Sequence, residues 1–100
     1  MDTEPDADTA EAATLFGLLG HPIRLGVVRA LLDAHELTVR ELNDRIPGSD
    51  NSLSQHLVKL RLFKLVTSRR VGTTYAYRLA DERLAAIVAA ALRPSSGASA

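Results

Sequence analysis

Apolar positions along this chain recur at helical spacing, and only once does the period fall to two. Residues 9–19 are alanine-rich and close on Leu15, Phe16, Leu18 and Leu19, which predicts a first helix. Gly20-His21-Pro22 breaks it, because glycine commonly ends a helix and proline suits the first turn of the next. Residues 23–34 carry a stripe of Leu25, Val28 and Leu32, with Val27 and Leu31 beside it, and predict a second helix. Thr38-Val39-Arg40-Glu41 reads as a capping box opening a short third helix, with Val39, Leu42 and Ile46 inward and Pro47-Gly48 as its end. Ser49, Asp50 and Asn51 each suit the N-cap of a fourth helix, which runs to about Lys64 with Leu53, Leu57 and Leu60 on one face. Residues 65–70 and 74–79 then alternate around Val71-Gly72-Thr73 and predict a β-hairpin with Tyr75, Tyr77 and Leu79 on one face. Residues 81–92 form a last helix, ended by Arg93-Pro94.

The expected fold is mainly α with a β-hairpin wing, in the order α-α-α-α-β-β-α: a winged helix-turn-helix. One domain covers residues 9–93, between an acidic disordered tail (1–8) and a flexible, small-residue tail (94–100).

The fourth helix carries the clearest chemistry. With Leu57 at the centre of its buried face and about 100° per residue, Ser52, Gln55 and Lys59 fall on the opposite side, flanked by Asn51. Asparagine and glutamine read adenine edges, serine adapts to either partner, and lysine meets guanine or phosphate. Asn51, Ser52, Ser54, Gln55, His56 and Lys59 are therefore candidate contacts to double-stranded DNA. Arg69, Arg70 and Thr73 on the hairpin are candidate phosphate contacts. Two blander readings stand beside these: a solvated amphipathic helix, and charges that blunt an edge strand.

Charge distribution favours the DNA reading. The net charge is zero, but residues 1–14 hold five acids and no Lys or Arg. Residues 51–80 hold six Lys and Arg and no acid, as a polyanion-binding surface requires. The absence of cysteine excludes disulfides and thiolate metal sites. The acidic opening is unlike a signal peptide, and no apolar run approaches the roughly 20 residues that span a bilayer, so no membrane partner and a cytoplasmic location are expected. There is no Gly-rich phosphate loop, Ser nucleophile elbow or His-rich metal motif, so an enzyme is not expected. A winged helix that binds another protein remains the competing class.

Three stretches also resemble the ArsR/SmtB family of bacterial regulators. Leu18-Leu19-Gly20-His21-Pro22-Ile23-Arg24-Leu25 is similar to the run that begins that family's second helix. Leu53-Ser54-Gln55-His56-Leu57-Val58-Lys59-Leu60 resembles its recognition-helix signature. Leu65-Val66, Arg69-Arg70, Gly72 and Tyr75-Ala76-Tyr77-Arg78-Leu79 resemble its wing. The resemblance covers roughly residues 12–92. It implies a homodimer formed by the first and last helices, here through Leu15, Phe16, Leu19, Leu84, Ile87, Val88 and Leu92. It also implies a repressor of an inverted-repeat operator, responsive to a transition metal such as Ni or Zn. A regulator controlled by another, non-metal effector is the alternative.

Residue by residue, the resemblance fails at the metal sites. Thr38 and Arg40 stand where one family site has cysteines, and Arg83 stands where a second has histidine beside Asp81. Pro94 and Gly97 fall where that second site's later ligands would lie. Among the histidines, His21 reads as a cap and His56 as a packing or phosphate-contacting residue. His35 is the candidate ligand of a new nitrogen/oxygen site.

Overall fold

A computed structural model of the protein describes residues 6–92. The expected tails at 1–5 and 94–100 lie outside the described residues. Helix α1 spans Ala7–Leu19, α2 Pro22–Ala34, α3 Val39–Arg45, α4 Leu53–Leu62 and α5 Arg83–Ala91. Strands β1 (Leu37–Thr38), β2 (Val66–Val71) and β3 (Thr74–Leu79) form one antiparallel sheet in the order β1-β3-β2.

Most boundaries follow from capping. The Asp6 carboxylate accepts from the Thr9 amide at 2.7 Å, so α1 begins two residues before Thr9 and takes Ala7 and Asp8 out of the expected tail. Gly20 ends α1, and α2 leaves it at 92°. At the start of α2 the His21 Nδ1 accepts from the Ile23 amide at 3.1 Å, ahead of Pro22. The capping box of α3 is complete: the Glu41 amide donates to Thr38 Oγ1 at 3.2 Å, and the Thr38 amide donates to Glu41 Oε1 at 2.8 Å.

Helix α4 stops two residues short of Lys64. There the Leu65 amide reaches back to the Leu60 carbonyl at 2.9 Å and the Lys64 amide to Arg61 at 3.0 Å, with Lys64 at φ +65°. That is a Schellman ending, with a lysine where glycine is usual. The hairpin turn is also tighter than expected. Val71 pairs with Thr74, leaving Gly72-Thr73 as a two-residue loop with Gly72 at φ +62°.

Strand β1 is the element not foreseen. Leu37 pairs with Tyr77 and Thr38 with Ala76, which ties the entrance of α3 to the wing. Two residues are too few to show a period, and Thr38 is extended because it caps α3. On β3 it is Ala76, flanked by Thr38 and Arg69, that is buried, while Tyr75 is exposed.

The core gathers Val27, Val28 and Leu31 of α2 with Leu42, Leu53, Leu57 and Leu60. It also takes Leu15, Leu19, Leu84 and Val88, four of the residues expected on a dimer face, which are buried within the single chain. A domain this small has few large apolar side chains, and its terminal helices supply part of its own core. Of the expected set, Phe16 remains 60% exposed, and Ile87 and Leu92 are half-buried. Among the described residues no single helix is long and apolar enough to cross a membrane.

Candidate nucleic-acid interface

Helix α4 has two chemically distinct faces. Leu53, Leu57 and Leu60 are buried, and Ser54, Gln55, Val58, Lys59 and Leu62 are exposed. Their spacing follows directly from the 3.6-residue turn. Asn51 is exposed in the approach to the helix; Ser52 is its half-buried N-cap residue and makes no side-chain cap bond. No side chain caps the amino end of α4, which leaves the positive end of its dipole facing outward, the arrangement that favours an anion.

The turn before α4 is braced from inside. Ser49 is fully buried; its Oγ lies 2.8 Å from the Ile46 carbonyl and 3.1 Å from Asn43 Oδ1. Its own carbonyl accepts from the Ser52 and Leu53 amides at 3.0 and 2.8 Å. Ser49 therefore sets the angle between α3 and α4 instead of capping α4 with its side chain. Gly48, at φ +79°, makes the bend that brings it there.

His56 is half-buried at the side of α4. Its ring lies 4.2 Å, centroid to centroid, from that of His21, tilted by 45°. An Arg24 guanidinium nitrogen is 3.3 Å from His56 Nδ1, and Arg24 Nε donates to the Leu18 carbonyl at 2.6 Å. Burial first, then the charges of His21, Arg24 and Lys59, hold the His56 imidazole below its ordinary value, so the ring is neutral near pH 7. Arg24, Gln55, His56, Val58, Lys59 and Leu62 line one shallow hollow on this side of the helix. Arg24 and Val58 were not among the expected contacts; helix periodicity alone could have shown Val58, which lies between Gln55 and Leu62 on the outer face.

On the wing, the three expected contacts differ. Thr73 is exposed at the tip, and Arg70 is folded onto it, its Nε donating to the Gly72 carbonyl at 3.1 Å. Arg69 instead forms a two-pronged ion pair with Glu36, at 2.7 and 2.9 Å. Arg69, by hydrogen bond first and by charge after, lowers the Glu36 carboxyl below the usual glutamate value. Nearby, Arg61 lies 3.4 Å from Ser68 Oγ, adding a cation that was not among the expected contacts.

No ligand set for a metal forms around His35. Its Nε2 lies 3.1 Å from the Arg78 guanidinium, a donor that occupies one of its two ring nitrogens. Asp81 is taken up by Arg83 at 2.6 Å, the same residue that replaces a histidine of the related site. Among the described residues no group of three or more His, Cys, Asp or Glu side chains could hold a metal ion.

Comparison with known proteins agrees with this architecture. A family described as a helix-turn-helix domain matches residues 19–69. The chain is 38% identical over 87 residues to the transcriptional regulator KmtR of Mycobacterium tuberculosis, covering 87% of this chain and 66% of KmtR. It is 35% identical over 85 residues to the transcriptional activator HlyU of Vibrio cholerae, covering 85% of this chain and 78% of HlyU. The crystal structure of the transcriptional repressor BigR from Xylella fastidiosa superposes with a TM-score of 0.76 at 36% identity, covering 82% of this chain and 83% of that one. The chain thus spans slightly under two thirds of KmtR and more of the other two. With five helices among the described residues, a hairpin wing and a helix-turn-helix at α3–α4, the chain belongs to the ArsR/SmtB family of winged-helix transcriptional regulators, DNA-binding proteins that are not enzymes.

Proposed function

We propose that this chain is a homodimeric repressor that reads an inverted-repeat operator through α4. The observation that carries the reading is the outer face of α4: hydroxyl, amide and cation, with no acid, on the helix that the α3–α4 turn projects. In this reading Asn51, Ser54 and Gln55 meet base edges, and Val58 meets a thymine methyl. Lys59, Arg70 and Thr73 meet phosphates, with the amino end of α4 and Ser52 close to the backbone.

The dimer face consists of what α1 and α5 leave outside the core. Phe16 and Gly17 are exposed on α1, and Ala85, Ala86, Ala89 and Ala90 on α5. Helices that are apolar on their solvent side as well as their core side are built to be covered. Dyad-related copies of α4, about 34 Å apart, would enter successive major grooves. Among the described residues no ligand set for a nickel or zinc effector is present.

Fluorescence anisotropy on a duplex from the chain's own promoter and on a scrambled duplex tests this. Gln55→Ala should cost about 1–3 kcal/mol on the promoter duplex and little on the scrambled one. Lys59→Ala should weaken both and reduce the salt slope by about one. Failure of the wild type to bind any duplex at low salt would overturn the reading. The exposed Val58 (58%) and Leu62 (73%) would then mark α4 as a protein-docking helix.

A further inference from the structure

Three positively charged or chargeable side chains meet at His56 without a carboxylate to separate them. His21 comes from the α1–α2 turn, Arg24 from α2 and Lys59 from α4 itself. Such a cluster is stable only if the His56 imidazole stays neutral and each of its nitrogens has a fixed role. The roles can be assigned. A guanidinium has five donors and no acceptor, so at 3.3 Å it is His56 Nδ1 that accepts from Arg24. His21 Nδ1 likewise accepts from the Ile23 amide. In both rings the proton therefore sits on Nε2. Arg24 is itself held: its Nε donates to Leu18, one of the last carbonyls of α1, which a helix end leaves without an internal partner.

We propose that Arg24 is a positioning residue for DNA binding, which holds His56 as the Nε2–H tautomer so that this remaining donor is presented to a DNA phosphate beside α4. The proposal rests on the reading of α4 as the DNA-binding helix. His56 shares its hollow with Gln55 and Lys59, both on the face assigned to DNA, so a donor there lies beside the strand that those residues approach. A neutral N–H suits the position. A protonated ring would place a further charge against Arg24 and replace the acceptor at Nδ1 with a second donor. Arg24 accordingly acts through His56, and its guanidinium is engaged on the protein side by Leu18 and His56.

Two measurements on the full chain separate this proposal from the reading beneath it. The first needs no DNA. Two-bond ¹H–¹⁵N spectra at pH 7.5 should show His56 as a single Nε2–H tautomer in the wild type. They should show a mixture in Arg24→Met, which keeps the alkyl stem and removes the donors. A wild-type ring protonated on Nδ1, or a mixed wild type, overturns the proposal. The second is a double-mutant cycle in promoter-duplex affinity, with circular dichroism confirming that each variant is folded. His56→Ala should weaken binding about tenfold, as loss of one hydrogen bond to a charged group does. Arg24→Met should weaken binding in the wild type and add little in the His56→Ala background, and Arg24→Lys should recover part of the loss. Fully additive losses would mean that Arg24 contacts DNA directly, and would overturn it. A single Nε2–H tautomer with no binding to any duplex would instead overturn the DNA reading and, with it, the role given to that proton.

Discussion

Arg69 has two claims on it. Its place on the wing offers it to phosphate, and its fork is matched to the Glu36 carboxylate at 2.7 and 2.9 Å. Arg69 is exposed and Glu36 half-buried, so the arginine side of the pair lies open to solvent and DNA can compete for it. Because the Glu36 carboxyl is held below its usual value, the pair is intact at neutral pH and is lost only as pH falls through that lowered value. Glu36→Gln should release Arg69 and remove a negative charge from the side proposed to face DNA. The expected outcome is tighter binding to both duplexes and a salt slope steeper by about one. An unchanged slope in anisotropy would mean that Arg69 serves only to hold the wing to the α2–β1 connection. At this scale the sequence showed residue type and helical face, which is why Gln55 and Lys59 lie exposed on the expected side of α4, whereas Ser52 is half-buried at its N-cap. It could not show that Arg69 meets Glu36, thirty-three positions earlier, or that Arg24 meets His56 across thirty-two, because those pairings exist only once the chain is folded.

Secondary structure was legible wherever a periodic apolar stripe was long enough to repeat. Helices α2, α4 and α5 and both hairpin strands fall within a few residues of expectation, and the capping box of α3 is present as read. What escaped were boundaries set by backbone geometry, above all the end of α4. Lys64 at φ +65° carries a Cβ in a left-handed conformation that glycine adopts without strain. Lys64→Gly should therefore stabilise the protein by about 0.5–1 kcal/mol, after allowing for the greater freedom of glycine in the unfolded chain. Urea denaturation would show this as a higher midpoint at unchanged slope. A lower midpoint would mean that the lysine side chain contributes more than its backbone costs.

For the molecule as a whole, the proposed dimer and the core draw on different residues of the same two helices. Leu15 and Leu84 close the core, and Phe16 stands outside it. Phe16→Glu should therefore convert a dimer to a folded 10.8 kDa monomer in sedimentation, with thermal unfolding little changed. The monomer should also lose the gain of binding two half-sites at once. A wild type that sediments as a monomer at micromolar concentration would contradict the dimer. The sheet order has a separate bearing on how the chain behaves when concentrated. With no net charge and a pI near 6.8, the protein lacks the mutual repulsion that keeps many proteins in solution. An open sheet edge would then invite strand-to-strand stacking between molecules. One edge here is β1, only two residues long, and the other is β2, which carries Arg69 and Arg70 side by side. Neither can readily template a growing sheet, so the wing that the helix-turn-helix requires is carried without becoming a nucleus for aggregation.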